Sequence, residues 1–345
     1  MSEYYDGTRL LSMLDLNGNK PEIYIAEGNR TGGKTTYFNR LMVNRFKKDG
    51  SKFMCIVRFK DELKDYHDKF FKDIKELFFP MDNMDSEKKD NGCYCELYLN
   101  GVSCGYVVAL NSADRIKKIS HLFTDVDRML FDEFQSETNH YCTDEVKKLM
   151  SIHTSVARGH GKHVRYVPVY MCSNSVSLLN PYYSSLNIGH RITKEAKIIK
   201  GVGFVMERAY IEKAATAQLE SGFNQAFSQD SYLQYATQNV YLNDNLAFIA
   251  KPEGRSRYLA TLIYNGKEHG IYSYDDSSII YVSNKSDTTA PFKISVTTAD
   301  HNVNYIMLKR NDMFLQQLRY YFDKGCCRFA DLTAKECLMK AISYN

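Results

Sequence analysis

The first half of the chain alternates short apolar runs with amphipathic stretches. Apolar runs of strand length lie at 22–26, 53–58, 128–131 and 164–172. Two further runs, 93–99 and 106–110, flank Asn100-Gly101 and predict a hairpin. Helical spacing between these runs predicts helices over 35–43, about 61–79, about 114–119 and about 144–156. This order is typical of an α/β fold with a mostly parallel sheet.

The second half has a different pattern. A helical stretch at 207–223 precedes three strand-like runs at 257–264, 269–274 and 278–282, which Asn265-Gly266 and Asp275-Asp276 join as turn residues. A helix is expected over 312–322. With 345 residues the chain is also long for a single core. We therefore expect a first domain over 1–205, a helical linker over 206–226 and a second domain over 227–345.

The composition is that of a globular protein and sets only wide limits on function. Hydrophobic residues make up 44% of the chain and charged residues 25%, and no apolar run has the length of a membrane span. The N-terminus lacks the basic-then-apolar order of a signal peptide, so we expect a cytoplasmic protein without a membrane partner. A net charge of +4, with Lys and Arg in small groups, permits contact with nucleic acid but does not require it.

The strongest chemical signal is a glycine-rich loop between the first predicted strand and the first predicted helix. Residues 28–35 match the phosphate-binding pattern G-x-x-x-x-G-K-[ST] at every fixed position. In such a loop, backbone N–H groups and the helix N-terminus bind phosphate, Lys34 reaches the β- and γ-phosphates, and Thr35 ligates Mg²⁺. The predicted cofactors are therefore ATP and Mg²⁺. The predicted nucleotide-binding residues are Gly28, Asn29, Arg30, Thr31, Gly32, Gly33, Lys34, Thr35 and Thr36.

Two acids close the apolar run 128–131. We predict that Asp132 holds Mg²⁺ together with Thr35, and that Glu133 orients the attacking water. A strand that ends in two acids is common, and its combination with an intact phosphate loop is what favours catalysis. The adjacent glutamate favours the branch of P-loop enzymes with an additional central strand and a catalytic glutamate.

A polar residue at the tip of the next strand senses the γ-phosphate in that branch. Asn174 is the candidate and Ser173 the alternative. A loop asparagine that begins a turn before Pro181 remains the structural interpretation.

Together these residues resemble the large-terminase and phage DNA-packaging ATPase family. The resemblance rests on Arg30 at the third position of the loop, and on Asp132-Glu133 and Ser173-Asn174 in matching order. It is good over 20–180 and much weaker beyond. The short chain is most similar to the packaging ATPases of small tailed phages with protein-primed genomes.

The resemblance implies ATP-driven translocation of double-stranded viral DNA into an empty capsid. The motor in that family is a homo-oligomeric ring, a pentamer, that docks transiently on the portal of the procapsid in the cytoplasm of the infected host. A packaging RNA as a further partner is left open.

The same resemblance implies that basic residues of a neighbouring subunit complete each active site. Arg158, at the end of the helix between the glutamate strand and the next strand, is where an arginine finger is expected. Lys117 and Lys118 are candidates for a second contact in trans. With Glu133 and Asn174 they make up the predicted catalytic set. A helix-end arginine that bonds backbone carbonyls is the open alternative for Arg158.

The second domain resembles the RNase H-like nuclease domain of terminases, but its chemistry is missing. Two-metal hydrolysis needs clustered carboxylates, one from the middle of the first strand, and 257–264 contains no acid. Asp275 and Asp276 are interpreted as turn residues. We therefore expect a vestigial nuclease domain that contacts nucleic acid or the portal.

Three other functions share parts of this pattern. They are a terminase with an active nuclease, a DNA helicase, and an NTP-binding nucleic-acid scaffold without enzymatic activity. Glu133 argues against the scaffold, because binding alone needs no residue to orient water.

Overall fold

A computed structural model of the chain places the strand-like runs in two sheets, one in each of two units, Met1–Asn243 and Asp244–Asn345. The structure describes residues 3–138, 140–159, 161, 163–192, 196–227, 248–309 and 311–342. Within these ranges no helix is long and apolar enough to cross a membrane. The stretch 228–247, at the start of the predicted second domain, lies outside the described residues.

The sheet of the first unit has nine strands within the described residues. Its order is β3-β4-β5-β2-β6-β7-β1-β9-β8, and neighbours from β5 to β9 pair in parallel. β7 lies between the strand that enters the glycine loop, β1, and the strand that ends in the two acids, β6. This is the additional central strand that the sequence predicts. The strands are β1 (Ile23–Gly28), β2 (Lys52–Val57), β3 (Met84–Lys89), β4 (Tyr94–Leu99), β5 (Val102–Ala109), β6 (Val126–Asp132), β7 (Val169–Asn174), β8 (Ile198–Gly201) and β9 (Phe204–Ala209).

Helices cover both faces of this sheet, so its central strands are apolar on both sides. On β1, Ile25 packs into one core with α4, α5 and α6, while Tyr24 and Ala26 pack into the other with α1, α2 and α3. Within the part of this unit that the structure describes, the helices are α1 (Thr8–Ser12), α2 (Lys34–Asp49), α3 (Tyr66–Phe78), α4 (Ala113–Lys118), α5 (Glu145–Val156), α6 (Pro181–Leu186), α7 (Glu212–Glu220) and α8 (Gly222–Ala226).

Three sequence predictions for the first unit need correction. The helical stretch predicted at 207–223 starts only at Glu212, because 204–209 form β9 and pair with β1. The first residues of the predicted linker 206–226 therefore belong to the first sheet. The strand predicted at 164–172 starts at Val169, after a proline that has no N–H to donate. Finally, β3 was not predicted, since an edge strand of mostly polar residues has no apolar alternation.

The described residues of the second unit form a smaller sheet with two helices. The three predicted strands pair as consecutive antiparallel neighbours, and two short strands add parallel edges in the order β13-β10-β11-β12-β14. The turn residues Asn265 and Gly266 both have positive φ, 50° and 75°, as a tight hairpin turn requires. The elements are β10 (Arg257–Tyr264), β11 (Lys267–Tyr274), β12 (Ile279–Ser283), β13 (Lys293–Ser295), β14 (Cys327–Phe329), α9 (Met313–Asp323) and α10 (Leu332–Ile342).

Candidate nucleotide-hydrolysis site

The glycine loop has the backbone geometry that phosphate binding requires. A Cβ on Gly28 would lie 2.0 Å from the carbonyl oxygen of Ala209 on β9, so no larger residue fits there. Gly33, with φ +86°, and Thr31, with φ 57°, turn the chain into α2 through left-handed conformations. The first N–H groups of a helix have no intrahelical acceptors and carry partial positive charge. The loop therefore presents an anion-binding helix N-terminus at the end of β1.

Asn29 holds this loop against the chain that follows β9. Its buried amide donates to the carbonyl of Ile211 at 3.1 Å and accepts from the N–H of the same residue at 2.9 Å. The amide therefore acts structurally, and its contribution to nucleotide binding is indirect.

Lys34 extends across the mouth of the loop and is 7% exposed. Its Nζ donates to the carbonyl oxygen of Asn29 at 2.7 Å and to Asn174 Oδ1 at 3.4 Å. Burial lowers the pKa of Lys34 to about 8, and the nearby Asp132 carboxylate opposes this shift. The structure thus brings the predicted phosphate lysine and the predicted γ-phosphate sensor together.

Thr35 and Asp132 are also in contact. Thr35 Oγ1 donates to Asp132 Oδ1 at 3.1 Å, and the same carboxylate oxygen accepts from Cys172 Sγ at 3.0 Å and from the N–H of Glu133 at 3.0 Å. Burial raises the pKa of Asp132, with the Glu133 charge as a further cause. A hydroxyl beside a carboxylate is an all-oxygen donor set, which suits Mg²⁺. These two residues therefore fit the predicted metal.

The backbone at Glu133 is strained, and a side chain from another segment holds it in place. Glu133 has φ 54°, a conformation that is costly for a residue with a side chain. Arg58, just after β2, donates to the carbonyl oxygens of Phe134 at 2.7 Å and of Glu133 at 3.4 Å. Arg58 Nε also bonds both oxygens of the fully buried Glu145 carboxylate at 3.0 and 3.2 Å. A buried ion pair thus fixes the turn that presents the glutamate.

The side chain of Glu133 points outward, with 65% of it exposed. Its Oε2 lies 3.5 Å from Nζ of Lys69 on α3. An exposed pair of this kind contributes about 0–1 kcal/mol, so it leaves the carboxylate free to reorient toward a water molecule.

A cleft of about 1480 Å³ opens in front of the loop. It contains the phosphate loop, both acids and Asn174, and its outer wall carries the aromatic rings of Tyr4, Tyr37, Phe78, Phe223 and Phe227. Ser173 also lines the cleft, but its hydroxyl donates to the carbonyl of Asn174 at 3.0 Å. The geometry therefore favours Asn174 over Ser173 as the sensor.

The three basic residues predicted to act in trans do not line this cleft. Helix α5 starts at Glu145, which pairs with Arg58, and its twelve residues give it a length of about 18 Å. Arg158 follows the far end of this helix. Arg158 Nε donates to the carbonyl of Thr154 at 3.2 Å, which is the helix-end contact of the open alternative. Lys117 and Lys118 are exposed in the last turn of α4. Any catalytic role of these residues needs a second subunit.

Sequence reasoning missed the residues that support the acids from other segments. Arg58 directly follows an apolar strand, and such an arginine is a weak signal of a buried ion pair. The partners of Asp132 and Glu133 come from distant parts of the chain, so no local spacing reveals them. The missed residues are Arg58, Lys69, Glu145 and Cys172.

Known proteins match almost the whole chain. The family described as Podovirus DNA encapsidation protein (Gp16) matches residues 1–343. The DNA packaging protein of Bacillus phage PZA is 25% identical over 306 residues, which cover 88% of this chain and 87% of that protein.

Solved structures agree in fold. A chain of the bacteriophage Phi-29 viral genome packaging motor assembly superposes with a TM-score of 0.72 at 21% identity, covering 99% of this chain and 100% of that one. The N-terminal domain of the DNA packaging ATPase from bacteriophage phi29 gives a TM-score of 0.50 at 24% identity, over 60% of this chain and 97% of that one. The predicted α/β fold, with a P-loop unit followed by a smaller unit, is confirmed.

Proposed function

This chain belongs to the podovirus DNA encapsidation protein family, and we propose that it hydrolyses ATP at the cleft to drive double-stranded phage DNA into an empty capsid. The resemblance predicted from the glycine loop and the two acids is confirmed by the family match, and with it phage DNA packaging as the function.

The observation that carries the proposal is the meeting of three chain segments at one point. Lys34 contacts Asn174 at 3.4 Å, and Thr35 contacts Asp132 at 3.1 Å, although these partners lie far apart in sequence. The arrangement combines a phosphate cation, a metal-binding pair and a γ-phosphate sensor. Glu133, on the same turn as Asp132, lines the cleft, where its carboxylate would polarise water. This is the set that P-loop hydrolysis uses.

Each residue has a separate task in this proposal. Lys34 and the N–H groups at the start of α2 bind phosphate oxygens, and Asn174 bonds the terminal phosphate. Thr35 and Asp132 would hold Mg²⁺, which would neutralise part of the charge on the phosphates. Glu133 accepts a proton from the attacking water. Arg58 and Glu145 keep that glutamate's backbone in place.

We also propose that the motor is a homo-oligomeric ring, a pentamer, docked on the procapsid portal in the host cytoplasm. Arg158, Lys117 and Lys118 would then act on the nucleotide of the neighbouring subunit. Their position outside the chain's own cleft supports a role in trans. Whether a packaging RNA is a further partner of the ring is left open.

The second unit is proposed to contact DNA or the portal rather than to cut DNA. β10 carries no acid, and the described residues hold no cluster of three or more His, Cys, Asp or Glu that could bind a metal. Asp275 instead accepts from Ser273 Oγ at 2.5 Å and lies 3.7 Å from Arg257, while the side chain of Asp276 lies outside what the structure describes. Lys251, Arg255 and Arg257 are exposed and suited to phosphate contacts.

The test of this function is ATP hydrolysis by the full chain, measured alone, with double-stranded DNA, and with DNA plus empty capsids. We expect hydrolysis that rises with DNA and rises further with capsids. Glu133→Gln is the matched control, since it should bind ATP without turnover. Hydrolysis that ignores both DNA and capsids would contradict coupling to packaging.

A further inference from the structure

A buried chain of hydrogen bonds connects the loops that carry the catalytic residues. Tyr183 on α6 donates its hydroxyl to Glu27 Oε2 at 2.5 Å and accepts from Gln135 Nε2 at 3.1 Å. Gln135 Oε1 accepts in turn from the backbone N–H groups of Val176 at 3.2 Å and Ser177 at 3.0 Å. Glu27 and Tyr183 are 0% exposed and Gln135 is 3% exposed.

The chain of bonds reaches all three functional loops close to their acting residues. Glu27 is the residue before the phosphate loop, Gln135 is the second residue after Glu133, and Val176 is the second residue after Asn174. The three loops extend from three different strands, β1, β6 and β7. Tyr183 and Gln135 therefore connect all three loops, in addition to the contacts of Lys34 with Asn174 and of Thr35 with Asp132.

Such a network is costly if stability is its only role. A buried polar network must be fully satisfied to compete with apolar packing, and Glu27 Oε1 has no hydrogen-bond partner among the described residues. Asn180 fixes α6 independently, because its side chain accepts from the N–H groups of Tyr182 and Tyr183 at 3.1 and 2.9 Å. The hydroxyl of Tyr183 is thus presented from a rigidly capped helix.

We propose that Tyr183 and Gln135 are positioning residues for ATP hydrolysis. They fix the positions of the loops after β6 and β7 relative to the phosphate loop, so that Glu133 and Asn174 act on the same terminal phosphate. Neither side chain lines the cleft. The inference rests on the proposed ATP hydrolysis and assigns this function to residues outside the cleft lining.

The test is Tyr183→Phe in the full-length chain, assayed for steady-state Mg·ATP hydrolysis with double-stranded DNA and for equilibrium binding of Mg·ADP. Small misplacements of reacting groups cost up to about 10²-fold in rate, so we expect kcat to fall about tenfold to a hundredfold. Mg·ADP affinity should stay within about twofold, because Lys34, Thr35 and the loop backbone are intact. An unchanged kcat in the folded variant would overturn the proposal.

Two further variants separate positioning from stability. Tyr24→Phe removes the hydroxyl of another buried tyrosine, on β1, which lies 3.3 Å from the Tyr166 hydroxyl, and it should leave kcat within about twofold. If Tyr24→Phe lowers kcat as much as Tyr183→Phe does, the effect is general destabilisation and the proposal fails.

If Tyr183→Phe does not fold, Gln135→Glu tests the same proposal. It keeps an acceptor for Val176 and Ser177 but loses the donor to Tyr183, so kcat should fall with Mg·ADP affinity unchanged; wild-type kcat would refute the proposal. A failure of the proposed function itself is distinguishable, because the wild-type chain would then hydrolyse no ATP, and the inference would fall with it.

Discussion

Thr35 Oγ1 lies 3.1 Å from Asp132 Oδ1, so the end of the phosphate loop and the end of the acid strand meet at a single hydrogen bond. Thr35 lies at the start of α2, directly after the loop that follows β1, and Asp132 is the last residue of β6. In the sheet, β7 lies between these two strands. Cys172 on that middle strand donates to the same carboxylate oxygen. The site is therefore assembled across three adjacent parallel strands.

Lys34→Ala and Glu133→Gln should separate binding from turnover. We expect Lys34→Ala to lose nucleotide binding, because it removes the cation at the loop mouth, and Glu133→Gln to bind ATP but not hydrolyse it. Equilibrium ATP binding and phosphate release measure the two effects. Comparable hydrolysis by Glu133→Gln and wild type would remove Glu133 from its assigned role.

The lowered pKa of Lys34 predicts a pH-dependent affinity for ADP. The pKa is about 8 in the free protein because of burial, so above that pH the amine must take up a proton to bind phosphate as a cation. Affinity should fall by up to about tenfold for each pH unit above 8, and calorimetry in buffers of different ionisation enthalpy should show proton uptake. Lys34→Met is the control, since it has no proton to gain. A flat wild-type profile from pH 7 to 9.5 would contradict the assignment.

The lowered pKa of Lys34 should also make the stability of the fold depend on pH. Between about pH 8 and the ordinary lysine value of 10.5 the unfolded chain binds the proton that the folded chain has lost, so the contribution of Lys34 to the free energy of unfolding becomes more favourable as pH rises. The free energy of unfolding of Lys34→Met should therefore exceed that of wild type by the largest amount below pH 8, and this difference should shrink toward pH 10. Denaturant unfolding of both proteins across this range measures it. A gap that widens with pH would show the opposite shift.

The buried pair of Arg58 and Glu145 should behave as a unit. Arg58→Met leaves a carboxylate with 0% side-chain exposure without its cation, and losses of about 3–5 kcal/mol in the free energy of unfolding are typical of such changes. Glu145→Gln added to Arg58→Met should recover part of this loss, because the remaining amide is neutral and still accepts from the hydroxyl of Tyr182. Urea unfolding of the single and double variants measures the coupling. Additive losses would mean that the pair acts as two independent residues.

The sequence predicts the parts of this site that are local in the chain. The glycine loop is one contiguous motif, and the two acids directly follow an apolar run, so both are recognisable without knowing what they contact. Asn174 follows from its place at the tip of the next strand. Arg58 and Glu145 do not follow, because each acts only through a partner from a distant segment. The sequence predicts a helix over 207–209, the last residues of β9, because the pairing of β9 with β1, which buries this strand, is not visible in the local pattern.

Plasmid DNA should remain uncut by the purified protein with Mg²⁺ or Mn²⁺, while the protein retards it in a gel. Exposed Lys and Arg side chains in the second unit account for the binding, which should weaken as salt rises because counterions are released. Metal-dependent cleavage that Asp275→Ala or Asp276→Ala abolishes would establish an active nuclease instead.

Arg158 should act as an arginine finger in the assembled ring. Its guanidinium can bridge γ-phosphate oxygens of a neighbour's nucleotide, and loss of such a finger typically costs about 10³ to 10⁵ in turnover. Arg158→Ala should bind ATP normally and fail to hydrolyse it. Mixing it with Lys34→Ala subunits should restore some activity, at interfaces that pair one intact loop with one intact arginine.

A matched control distinguishes this role from helix capping. Arg191→Ala removes another exposed arginine that bonds a backbone carbonyl, that of Lys200 at 2.8 Å, and it should leave turnover within about twofold. If the bond from Arg158 to the carbonyl of Thr154 is its whole purpose, Arg158→Ala should lower stability and show no rescue in mixed rings. Absence of complementation with both variants folded and assembled would return Arg158 to a structural role. The contact in trans would then be sought at Lys117 and Lys118, which are exposed at the end of α4.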